Sequence, residues 1–216
     1  MRRVALILAS GWFACGNAAA QEPAGRYVVD AAQSDVHWLV YKAGALARLG
    51  HNHTISVGDL SGYASVAAGD LGSSRFELAF SVAKLVVDNP ALRATLGEDF
   101  ASVPTADDIA GTHRNMLSDR VLDGENHPGI RLTGTGPTLR DGRETLAVTV
   151  EMLGRTVELT VPTEISFDGD RLLARGEFEL NHADLGMQPF SVMMGALQVG
   201  EKLSFSYSIE AHREGR

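Results

Sequence analysis

The chain has 216 residues, 44% of them hydrophobic, with 19 basic and 27 acidic side chains and a formal net charge of −8. That length supplies a sizeable core for one β-rich domain, and the acidic balance argues against nucleic acid or an anionic membrane surface as the main partner. No interior apolar run reaches the roughly 18 residues a membrane-spanning helix needs, so no stable membrane insertion is expected.

The first segment reads as a processing signal. Met1-Arg2-Arg3 is a basic head, Val4 to Cys15 is a short apolar stretch, and Ala18-Ala19-Ala20 offers small residues for cleavage. This predicts a signal peptide over 1–20, a cut after Ala20, and one domain over 21–216 in the periplasm. Acylation at Cys15 is disfavoured, because Trp12-Phe13-Ala14 is a poor lead into a lipoprotein cysteine. Cys15 is the only cysteine, so the mature chain has no disulfide and must rest on its core.

Two short strands, 26–30 and 35–41, flank Ala31-Ala32-Gln33-Ser34. Next comes Leu46-Ala47-Arg48-Leu49-Gly50-His51-Asn52-His53-Thr54-Ile55-Ser56-Val57, whose Thr, Ile and Val favour a strand. Side chains two apart share a sheet face, so His51, His53, Ile55 and Val57 should line up together. The strand is expected to run on to about Val66, with a change of apolar phase near Gly58-Asp59 or Gly62 that a β-bulge would explain. Phe76, Leu78, Phe80 and Val82 then alternate with Glu77, Ala79, Ser81 and Ala83, the cleanest half-buried strand in the chain.

Residues 88–124 break the pattern and predict a helical insertion across one end of the sheet. Asn89-Pro90 is a cap and first-turn proline, and a second helix should start at Thr105, with Asp108 as capping-box partner, and end near Asp123-Gly124. Its apolar face carries Ala106, Ile109, Ala110, Leu117 and Val121, with His113 among them.

β-Structure then resumes. Residues 129–136 form one strand. Residues 144–152 and 156–166 form a hairpin around Leu153-Gly154-Arg155, with Leu146, Val148 and Val150 facing one way. Residues 171–180 alternate Leu172, Ala174, Gly176, Phe178 and Leu180, and the last strand aligns Leu203, Phe205, Tyr207 and Ile209. Eight or nine antiparallel strands joined mainly by short turns define an all-β barrel or sandwich with a small helical insertion.

A barrel of this size either fills with side chains or holds one small ligand. The inward candidates Phe76, Phe80, Phe178, Phe205 and Tyr207 alternate with Ala64, Ala174, Gly134 and Gly176. Small residues leave volume, or they permit tight packing of a tapering barrel. The connection from Met187 to Leu197, with Phe190, Met193 and Met194, is too apolar for an ordinary loop. It forms either an adaptable mouth or, with slightly more weight, a packed plug.

His51 and His53 could share a metal with His113, His182 or Asp184 as third ligand, but this spacing alone is not a complete ligand set. Without metal, the two rings offer a polar pair near the end of the barrel. The Asn52-His53-Thr54 sequon falls in a strand and reads as incidental. No G-x-S-x-G elbow, H-E-x-x-H pair or Walker loop is present, and the chain reads as non-catalytic.

Several fragments, in this order, resemble the YceI-like family of periplasmic polyisoprenoid-binding proteins: Tyr27-Val28-Val29-Asp30 with Gln33-Ser34-Asp35-Val36, Arg114-Asn115-Met116-Leu117, His127-Pro128-Gly129-Ile130, Met152 to Leu159, Asp184-Leu185-Gly186, and the ending Ile209-Glu210-Ala211. Gln33 stands where the family usually has His, and Arg114-Asn115-Met116 replaces an acidic-histidine version. The resemblance implies an antiparallel eight-stranded lipocalin-like β-barrel whose elongated cavity carries an isoprenoid lipid or other amphiphile. The residues expected to contact it are Phe76, Leu78, Phe80, Val148, Phe178, Phe190, Met193, Phe205 and Tyr207, with His51, His53 and Arg114 at the polar head. No cofactor beyond that lipid is implied, and a homodimer is left open. The alternative is a metal- or redox-linked protein that uses its histidines and treats the barrel as scaffold.

Overall fold

The computed structural model describes residues 24–215; the expected leader over 1–20, its cleavage site and Cys15 lie outside the described residues. The strands are β1 (Gly25–Val29), β2 (Asp35–Ala43), β3 (His53–Ser56), β4 (Ser61–Val66), β5 (Ser74–Ser81) and β6 (Val86–Val87), followed by β7 (Gly129–Arg140), β8 (Arg143–Met152), β9 (Arg155–Pro162), β10 (Glu164–Asp168), β11 (Arg171–Asn181), β12 (Ser191–Val192) and β13 (Leu197–Arg213). Helices α1 (Pro90–Arg93) and α2 (Ala106–Leu117) lie between β6 and β7.

All thirteen strands belong to one antiparallel sheet, ordered β6-β3-β2-β13-β1-β4-β5-β7-β8-β9, with β11 and β12 also bonded to β13 and β10 bonded to β11. The expected eight-stranded closed barrel is therefore corrected. The ladder does not close as a hydrogen-bonded ring, because β9 pairs only with β8 and β10 only with β11. β9 and β10 are consecutive across Thr163, whose amide donates to the Glu144 carbonyl, so the chain bends where a single long strand would have linked the two edges.

A second correction concerns the stretch after His53. It is two strands and not one bulged strand: β3 pairs with β2 and β6, whereas β4 pairs with β1 and β5. The phase change arises because residues 57–60 leave the sheet to change neighbours. Gly58 permits the crossing, since a Cβ there would collide with the Lys84 carbonyl.

Strand faces follow parity elsewhere. Phe76, Leu78 and Phe80 of β5 oppose Gly134, Leu132 and Ile130 of β7, and Leu146, Val148 and Val150 of β8 oppose Val161, Leu159 and Val157 of β9. Leu153 and Gly154 both take positive φ, 53° and 67°, in the two-residue turn between Met152 and Arg155 that matches right-handed strand twist. The main core joins Ile55, Val82, Leu85, Met116, Val148, Val150 and Leu203. A smaller cluster of Tyr27, Val66, Leu172 and Ala211 closes the other end.

In the insertion, the Asn89 side chain accepts from the Ala91 and Leu92 amides and Pro90 opens α1. Thr105 and Asp108 complete a reciprocal capping box at α2. That helix stops at Leu117 and not near Asp123: Ser118 is already extended, and the Leu117 carbonyl receives the Gly124 amide across a tight return.

Candidate functional site

The sheet curls around a cavity of about 510 Å³, to which every strand except β6 contributes side chains. Its volume is in the range of small-molecule sites. Along its length the lining is apolar and aromatic. Trp38 stacks on Phe205 with ring centroids 5.8 Å apart, Phe205 stacks on Phe178 at 5.1 Å and 6°, and Phe178 meets Tyr207 edge-on at 6.4 Å. These four rings sit on β2, β11 and β13, whose register sets Phe205 opposite both Trp38 and Phe178. The Tyr207 hydroxyl donates to the Pro162 carbonyl at 2.8 Å, so its polar end is satisfied.

Of the residues read from the sequence, His51, His53, Phe76, Leu78, Phe80, Val148, Phe178, Phe190, Phe205 and Tyr207 all line this cavity. Arg114 and Met193 do not. Arg114 is exposed on α2, and Met193, like Met194, turns to solvent from a left-handed backbone with φ 51° and 54°. The apolar connection thus divides: Met187, Phe190, Val192 and Leu197 face inward, and its tip faces out. His51, His53 and Ile55 share the inner face as the spacing requires, but Val57, beyond the end of β3, is not among the lining residues.

Of the two readings open for the glycines, the structure takes tight packing. Gly134 and Gly176 do not open the cavity, because the space a Cβ would take is held by the Phe76 ring and the Ala147 carbonyl at Gly134, and by Tyr207 and the Pro162 carbonyl at Gly176. They are close-packing positions that let large rings lie across the strands.

Sequence reasoning missed Trp38, Leu132, Val150 and Thr112, all of which line the cavity; the alternation Val36, Trp38, Val40 carried that signal for the first. It also missed the residue that governs the polar end. Asp88, at φ 54°, has a side chain only 1% exposed. Its Oδ2 lies 2.6 Å from His53 Nδ1, and its Oδ1 accepts from the Thr54 amide at 3.0 Å and from Arg93 Nη1 at 2.6 Å. Burial pushes the Asp88 carboxyl up. The His53 hydrogen bond, the Thr54 amide and the charges of His53 and Arg93 together pull it further down, so that it is held below the usual carboxylate range. Arg93 is fully engaged, donating also to the carbonyls of Asn52, Phe100 and Ser102. On its other side, His53 Nε2 lies 3.4 Å from Thr112 Oγ1 on α2.

His51 is held more loosely, with Nδ1 3.4 Å from Ser102 Oγ and Nε2 3.7 Å from Asp108 Oδ2. Asn52, between the two histidines, is buried; its Oδ1 accepts the Lys42 amide and its Nδ2 donates to the Asp99 carbonyl, each at 2.9 Å. Its amide is committed to tying the insertion to β2. Among the described residues, no three His, Cys, Asp or Glu side chains converge on a metal-sized site. His182 Nδ1 donates to the Glu201 carbonyl at 2.9 Å, and Asp184 caps its own short helix.

Fold and site together define an antiparallel β-protein built around one elongated apolar cavity with a polar end. The chain belongs to the YceI-like family: the model for the YceI-like domain matches residues 27–211. Among solved structures it is similar to Burkholderia cenocepacia BcnA, with a TM-score of 0.61 at 11% identity over 85% of this chain and 99% of that one. It is also similar to the Campylobacter jejuni YceI protein, with a TM-score of 0.50 at 11% identity over 74% and 85%. No curated protein matches it by sequence.

Proposed function

We propose that this protein is a non-catalytic periplasmic carrier that holds an isoprenoid or other amphiphilic lipid with its chain in the cavity and its polar head beside His51 and His53. The observation that carries this reading is the asymmetry of the cavity, apolar and aromatic along its length and polar at the end where the insertion crosses it. Each methylene moved from water into such a lining gains about 0.8 kcal/mol, so chain length sets affinity and the head sets orientation. Phe76, Leu78, Phe80, Val148, Phe178, Phe190, Phe205 and Tyr207 would contact the chain.

Native mass spectrometry of protein purified without detergent tests it: a bound mass that extracts into organic solvent as a lipid is the expected result. An unliganded spectrum, together with no thermal shift on adding long-chain isoprenoids or fatty amphiphiles, would overturn it. Near-stoichiometric metal would instead favour the histidine-centred alternative. The periplasmic part of the reading has its own check, since protein from the periplasmic fraction should begin at Gln21 by intact mass.

A further inference from the structure

Asp88 determines what the polar end can recognise. An ionised carboxylate only accepts hydrogen bonds, and this one lies 2.6 Å from His53 Nδ1. The ring must therefore carry its proton on Nδ1, because a carboxylate facing one ring nitrogen fixes the tautomer. In its neutral form the ring then presents a bare lone pair at Nε2, toward a wall it shares with Thr112. Among the described residues, the hydrogen-bonding group nearest Nε2 is the Thr112 hydroxyl at 3.4 Å, beyond the ordinary hydrogen-bond range, and that hydroxyl can rotate to accept as well as donate.

The charges around the mouth point the same way. Asp88 stands behind His53, and Asp108 approaches His51 at 3.7 Å and is close enough to interact with both rings. Arg93 is spent on Asp88 and three carbonyls, with its side chain 9% exposed. Lys42 lines the cavity but gives its ammonium to the Gly50 carbonyl at 3.0 Å. Arg75, the other lining cation, stands beside Ser65 and Thr135 at the far end of the strands. Arg75 is the only guanidinium among the described lining residues, and the neutral amide of Asn115 is the other polar side chain that α2 brings to the wall.

We propose that His53, fixed by Asp88, selects a neutral hydroxyl-bearing head, so that the preferred ligand is a long-chain alcohol and not its phosphate or carboxylate. The inference rests on the carrier reading above. The ligand hydroxyl donates to His53 Nε2 and accepts from Thr112, whereas an anionic head would set acceptor against acceptor.

The test compares three ligands with one chain, farnesol, farnesyl phosphate and farnesene, by displacement of the neutral probe N-phenyl-1-naphthylamine from the full mature protein at pH 8. Farnesol should bind about ten-fold or more tightly than either of the others, the range expected when a buried acceptor gains or loses its donor. His53→Phe should erase the advantage of farnesol over farnesene, read as the ratio of the two affinities within that variant, whose folding is checked by its melting curve. Asp88→Asn, which frees the tautomer, should narrow the gap between farnesol and the phosphate. Farnesyl phosphate binding as tightly as farnesol, or His53→Phe keeping the alcohol preference, would overturn the inference and leave the carrier reading standing. If none of the three displaces the probe, the carrier reading falls and this inference with it.

Discussion

The guanidinium of Arg93 closes on the Asp88 carboxylate at 2.6 Å with both side chains shut away from solvent, and the same carboxylate anchors His53. One buried ion pair thus joins the helical insertion to β3 and sets the polar end of the cavity. Removing either partner leaves an uncompensated charge in a dry site, which costs about 3–5 kcal/mol. Arg93→Ala should lower the unfolding free energy by that amount, seen in denaturant melts as a lower midpoint with no change in slope if the sheet itself stays intact.

The pair also predicts an acid response. Folding holds the Asp88 carboxyl below its ordinary range, so the unfolded chain takes up the proton first as pH falls. The stabilisation is complete above the unfolded value of about 3.9 and is lost as pH drops through the lower folded value. Wild type and Asp88→Asn should therefore differ by a constant amount from pH 7 to pH 5 and converge below about pH 4, as read from urea midpoints across that series. An undiminished gap at pH 3 would show that the ionised state is not what stabilises.

Filling the cavity and breaking the strands should be separable. Val148 is buried and lines the cavity, so Val148→Phe should displace bound lipid, with an overpacking cost of about 1–3 kcal/mol. Gly176→Leu does not test the cavity, since its first side-chain atom meets the Pro162 carbonyl and Tyr207. It should fail by destabilisation, seen in the melting curve before any change in ligand stoichiometry.

The tip of the late connection offers the converse. Met193 and Met194 are 63% and 105% exposed and lie off the cavity wall. Changing both to Ser should move stability by less than about 0.5 kcal/mol and leave lipid affinity unchanged, measured by melting and by probe displacement. Phe190→Ser, three residues earlier and lining the cavity, should weaken binding.

How much of this was legible in the sequence follows from the range of each signal. Alternation is local, so the inward faces of β5, β8 and β13 were readable, and so were the Asn89 and Thr105 caps, which bond within three residues. The join between His53 and Asp88 spans 35 residues that include β4, β5 and β6, and nothing near Asp88 marks it as buried. Parity also misled where the chain changed neighbours between β3 and β4, because a bulge and a crossing shift the phase alike. The glycines leave two readings open for a related reason: a missing side chain records a close approach as readily as a void, and only the position of Phe76 or Tyr207 separates the two. Arg114 is expected at the polar head, but the face α2 turns inward carries Thr112, Asn115 and Met116.

β13 is bonded to β1, β2, β11 and β12, and it follows all of them in the chain. Its pairing with β1 sets Val29 against Ala211, so nearly the whole polypeptide must be made before that ladder can zip. Contacts of such long range slow folding. Translation would leave β1 and β2 each with an exposed edge until residues 197–213 emerge. The same order makes it vulnerable: a nascent chain stalled short of β13 is a set of open edges, the kind of surface that chaperones must shield from aggregation.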